Sequence, residues 1–182
     1  MFTRSTRRST LAAGLAAMGM CLLAVGAPAQ PAPGKLQLRA IINAPGGDSL
    51  LSGNYDAAIR ELNAPAVAHQ RGDMGVSTNL CVALIMTEQW DAARTRCDEA
   101  VSIAGYEQYA HSFPAKRERN ELLALAYSNR AVLAWLRNQT DTAASDLARA
   151  YRLAPGADFI AANWARLNVQ STASGPAVAA AH

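Results

Sequence analysis

Residues 74–105 and 124–155 can be laid over one another with a shift of 50 along the chain. In that register Cys81 falls on Ala131, Ala93 on Ala143, Cys97 on Leu147 and Ala100 on Ala150, while Asn79 falls on Asn129. Small residues recur where a first helix meets a second, and twice more along the second. A small side chain at a crossing point lets two helix axes approach closely, about 8–10 Å apart. Apolar residues within each half recur at spacings of three and four, which is one face of a helix. The repeat therefore restricts the chain to antiparallel helical hairpins. Aromatic residues make up only 6% of it and alanine dominates the apolar set, a composition that suits close-packed helices better than sheets.

Read in detail, the pattern predicts an all-α chain. Met74 to Met86 carries a wide apolar stripe through Val76, Leu80, Val82, Leu84 and Ile85, and Thr87-Glu88-Gln89 interrupts it. Trp90 to Ile103 forms the return helix, stopped at Gly105. A long helix runs from near Pro114 to Leu136, and Asn138-Gln139-Thr140 makes the next turn, with Thr140 or Asp141 as cap. Asp141 to Leu153 returns, and Ala154-Pro155-Gly156 ends it. A final helix over Phe159 to Leu167 is expected to cap the stack, with Trp164 and Leu167 covering the last hairpin and Arg166 facing water. Asp48 is placed as the N-cap of a short helix from Ser49 to Ser52.

The ends read differently. Arg4, Arg7 and Arg8 precede an uncharged run from Leu11 to Ala27, followed by Ala27-Pro28-Ala29. A basic start, an apolar stretch and a small-residue cleavage site are the order of a secretory signal peptide. Residues 1–29 are read as that signal, with cleavage after Ala29, so the mature chain is expected in the periplasm or outside the cell, without a stable membrane anchor. Twin-arginine export is disfavoured by Thr10 and lipidation at Cys21 by Met20. Three of the 17 basic residues lie in the signal, which leaves 14 against 14 acidic ones in the mature chain. Such a balance gives no support for nucleic-acid binding. Residues 30–47 read as a linker and docking segment, 48–168 as the helical domain and 169–182 as a disordered tail.

On these residues the chain resembles the tetratricopeptide repeat. The best stretch is 124–155, ALAYSNRAVLAWLRNQTDTAASDLARAYRLAP, with Ala131, Ala143, Ala150 and Pro155 in the family's spacing. Residues 74–105 match through Leu80, Trp90, Ala93 and Ala100, and Gly53 to Ile59 looks like a turn and second helix. The resemblance implies a short solenoid of stacked antiparallel hairpins: two full repeats, a partial first one and a capping helix. Two departures stand out. Pro45-Gly46-Gly47 lies where the first repeat's opening helix belongs, and the full repeats are 50 residues apart against a family period of about 34.

Cys81 and Cys97 lie eight residues before and eight after Gln89, at mirror positions of one hairpin. A disulfide between them is expected in an oxidising compartment, the alternative being two small buried thiols.

Catalytic groupings are absent from the sequence. His69, His111 and His182 have no metal-like spacing, no Gly-rich phosphate loop follows a strand, and no serine sits in a nucleophile elbow. The expectation is a protein without enzymatic activity, cofactor or metal.

In the tetratricopeptide family the first helix of each pair lines a concave groove for peptides. Carried over by position, the resemblance implies a partner-binding groove of Asn79, Val82, Ile85 and Met86 from one helix, and Asn129, Val132, Trp135 and Leu136 from the other. Asn79 and Asn129 match asparagines that hold a peptide backbone or terminal carboxylate. The lysines of the carboxylate-clamp version are replaced by Gly75 and Leu125, so an apolar groove with amide handles is expected. Those apolar residues equally fit a core, and Leu36 to Ile42 could itself fill the groove. The functional expectation is an exported interaction module or adaptor for a protein or peptide. The alternative is a self-associating structural scaffold of an envelope complex.

Overall fold

The computed structural model describes residues 35–69, 72–106 and 116–173. The expected signal peptide, its cleavage site and most of the C-terminal tail lie outside them. Among the described residues all regular structure is helical: α1 (Gly47–Leu51), α2 (Tyr55–Asn63), α3 (Pro65–Ala68), α4 (Met74–Met86), α5 (Trp90–Gly105), α6 (Lys116–Leu136), α7 (Thr140–Leu153) and α8 (Asp158–Ala173). None is long and apolar enough to cross a membrane. α4 packs on α5 and α6 on α7; α5 also packs on α6, α2 on α4, and α7 on α8.

The 50-residue overlay is realised in the packing. Cys81, Ala93, Cys97, Ala100, Ala131, Ala143, Leu147 and Ala150 are all buried. The turns obey the same register. α4 ends with Glu88 N–H donating to the Ile85 carbonyl and Gln89 N–H to that of Leu84. α6 ends with Asn138 N–H donating to Trp135 and Gln139 N–H to Ala134. This pair of bonds is the Schellman arrangement, which puts the residue after the cap in the left-handed region. Glu88 (φ 58°) and Asn138 (φ 59°) occupy that place. Asparagine tolerates it better than glutamate does. Glu88→Gly is accordingly expected to raise stability by about 0.5–1 kcal/mol in urea titration.

Several boundaries differ from the sequence reading. Gly46, not Asp48, holds the N-cap position of α1, and Asp48 sits in the first turn. There its carboxylate meets the positive end of the helix. Gln139 rather than Thr140 or Asp141 precedes α7. α8 continues to Ala173, so residues 169–173 are helical and not part of a disordered tail. Leu167 is buried as expected, in a cluster with Ala131, Ala134 and Leu147. Trp164 instead remains 37% exposed, and the partly exposed Arg166 lies over the Trp135 ring at 5.9 Å.

A charged connection ties three helices together. Arg130 on α6 donates to both carboxylate oxygens of the buried Asp146 on α7, at 2.7 and 2.9 Å, and to Asp98 on α5 at 2.9 Å. Its guanidinium also lies over Tyr127, 5.3 Å from the ring centroid. Hydrogen bonding to Asp146 holds the Arg130 proton more tightly than in water, against the opposing effect of burial. Removing one member of such a pair strands the other. Asp146→Ala should cost about 2 kcal/mol, allowing for the partial exposure of Arg130. In a thermal melt that is a fall of roughly 4–8 °C.

Candidate functional site: an asparagine ladder and its strap

Residues 35–41 form no helix and pair with no strand. An extended segment must still satisfy its backbone groups where it is taken from water. Here side-chain amides take the part of a neighbouring strand. Asn163 Oδ1 accepts from Gln37 N–H at 2.7 Å, and its Nδ2 donates to the Gln37 carbonyl at 2.8 Å. Asn129 does the same to Arg39, at 2.9 and 2.7 Å. Asn79 does the same to Ile41, at 2.8 and 2.9 Å. Three amides on α8, α6 and α4 thus hold every second residue of one strap, which runs from α8 towards α4. Only one orientation of each amide gives both bonds, because the oxygen must face an N–H and the nitrogen a carbonyl.

The alternation follows from extended geometry, in which successive residues turn their N–H and C=O groups to opposite edges and their side chains to opposite faces. Leu38 and Ala40, between the rungs, pack against the cluster containing Leu50, Leu62, Val76, Leu80 and Leu133. Ile41 packs against a second cluster with Met74, Val101 and Ala126. Arg39 reaches over the Phe159 ring, 5.5 Å from its centroid. The rungs themselves are supported. All three asparagines are buried, and Asn163 Nδ2 also donates to Ser128 Oγ at 3.1 Å.

After Ile41 the chain turns sharply into α1. Ala44 N–H donates to the Ile41 carbonyl, and Asn79 Nδ2 donates a second bond to the Pro45 carbonyl at 2.9 Å. The turn presses on the start of α4: a Cβ at Gly75 would stand 2.5 Å from that of Ala44. Gly75 occupies a position where the clamp version of the resembled family has lysine. In this chain the close approach of the turn requires glycine.

The other sequence-derived groove residues separate into two groups. Val82, Ile85 and Val132 are buried, the first two in the cluster that receives Leu38 and Ala40. Met86 and Leu136 stand 43% and 40% exposed at the C-terminal ends of α4 and α6. Trp135 is half-buried against the cluster around Leu167. Of the eight, Asn79 and Asn129 are the two whose side chains hold the strap. Asn163 was missed by sequence reasoning, although a signal for it exists. It follows Asn129 by 34 residues, which is the period of the resembled repeat.

Cys81 and Cys97 form a disulfide between α4 and α5, with Cα atoms 4.9 Å apart. It lies in the same hairpin as the Asn79 rung and fixes the helix that carries it. Among the described residues no three His, Cys, Asp or Glu side chains are grouped as metal ligands would be. No protein-family model, curated protein or solved structure matches this chain.

Proposed function

We propose that this chain is an exported, tetratricopeptide-like interaction module, an adaptor that holds an extended segment of a partner protein on its asparagine ladder. The observation that supports this reading is the paired grip on the backbone at Gln37, Arg39 and Ile41. A bond to both N–H and C=O of one residue asks nothing of its side chain, so it suits main-chain recognition of an added extended segment. Met86 and Leu136, exposed beside the buried apolar residues, offer side-chain contact at the edge of the same helices.

Photo-crosslinking in cells of the native host tests this, with the reactive group at position 136. The reading expects one reproducible partner whose capture is lost when Asn163→Ala is added. Capture unchanged by that substitution, or no capture, would count against it.

A second reading, a self-associating scaffold, is favoured by Tyr151 and Trp164, exposed on α7 and α8 beside a cleft shared with Ala161 and Ala165. It expects concentration-dependent sedimentation that Trp164→Glu abolishes.

A further inference from the structure

We infer that the ladder selects, from a partner, a peptide with the strap's own chemistry, and that the strap competes with that peptide for the rungs. The inference rests on the adaptor reading above and narrows its ligand class. The strap is a ligand already in place, so its contacts define what fits. Proline is barred at the positions of Gln37, Arg39 and Ile41, because each rung needs an N–H to accept from. It is tolerated between them, where the backbone N–H groups of Leu38 and Ala40 meet no rung.

Side-chain demands follow the same alternation. The position of Leu38 takes a large apolar side chain and that of Ala40 a small one, both facing the cluster around Leu50 and Leu80. The position of Ile41 takes an aliphatic side chain against Met74 and Val101. At the middle rung an arginine is favoured, since Phe159 presents its ring to the guanidinium. The ligand class is therefore an extended, basic and apolar peptide of the form apolar–Arg–small–aliphatic, free of proline at alternate positions. Replacing its arginine by glutamine should weaken binding about two- to fivefold, the range of an exposed cation–π contact.

A strap joined to α1 by a five-residue turn acts at an effective concentration on the order of millimolar. A free peptide meets the same rungs only when the strap leaves them. Loosening the strap should therefore tighten binding in trans, with no change in the rungs.

The probe is a fluorescent peptide of sequence KLQLRAII, the chain's residues 35–42. It is titrated by anisotropy into the full chain and into full-length Arg39→Pro, which removes the N–H bound by Asn129. The expected result is binding at least tenfold tighter to the variant, lost when the peptide carries proline at its own fifth position. Leu38→Asp, which keeps every backbone donor, replaces Arg39→Pro if that variant loses helicity. Equal binding to the wild-type and variant chains, or none to either, overturns the inference. If Asn163-dependent capture from position 136 persists in that case, the adaptor reading stands and only the ligand class falls.

Discussion

Asn79→Ala is expected to lower the free energy of unfolding by about 3 kcal/mol, more than truncation at Asn129. The buried amide makes three hydrogen bonds, to Ile41 N–H, the Ile41 carbonyl and the Pro45 carbonyl. Each is worth about 1 kcal/mol net, and a buried polar group left without a partner costs about 1–3 kcal/mol more. The two carbonyls and the N–H can recover part of this by turning to water as the strap lifts. Asn129→Ala loses two such bonds, so its expected cost is about 2 kcal/mol. The order of the two variants is the informative result, read as urea midpoints with a common slope. Equal midpoints would mean that the third bond of Asn79, to the Pro45 carbonyl, adds nothing to stability.

Reduction of the Cys81–Cys97 disulfide should have an effect of similar size. The bond closes a loop with a sequence separation of 16, and tying a loop of that length removes about 3 kcal/mol of chain entropy from the unfolded state. Urea unfolding with and without reductant should show a midpoint lower by roughly 1–2 M after reduction. Leu80 and Ala93 still pack in the cluster that holds the two thiols, so helicity should persist in the reduced folded state. Loss of helicity on reduction alone would show that the hairpin depends on its crosslink to form at all. The alanine mimic Cys97→Ala separates lost crosslinking from any effect of reductant elsewhere.

The legible parts of this fold are the ones enforced by close approach. Ala93, Ala100, Ala131, Ala143 and Ala150 must be small because helices cross at them, and a repeat of small residues is visible without coordinates. The helix Met74–Met86 was bounded correctly because Thr87-Glu88-Gln89 interrupts its apolar stripe; Asp73, which sequence reasoning did not name, caps its first turn. The turn after Leu136 was legible from Asn138, although Thr140 already belongs to α7.

What was not legible depended on how helices are rotated against each other. Arg130 and Asp146 are charges on different helices, and their spacing of 16 residues carries no signal until the crossing is known. Asn163 escaped because the overlay used a shift of 50, which carries Asn129 past the last helix; the shorter period finds it. The end of α8 escaped because Gln170-Ser171-Thr172 breaks the apolar pattern, although nothing in those residues forbids helix. For the strap, LQLRAII showed the composition of a docking segment. Its alternation between rungs and apolar contacts, however, is a property of three helices acting together.

Amide hydrogen exchange of the full chain, resolved residue by residue over 36–41, tests the ladder most directly. The account predicts a period of two: slow exchange at Gln37, Arg39 and Ile41, whose N–H groups bond Asn163, Asn129 and Asn79, and fast exchange at Leu36, Leu38 and Ala40. Uniformly fast exchange across the segment would contradict it, because the strap would then not be held on the asparagines at all.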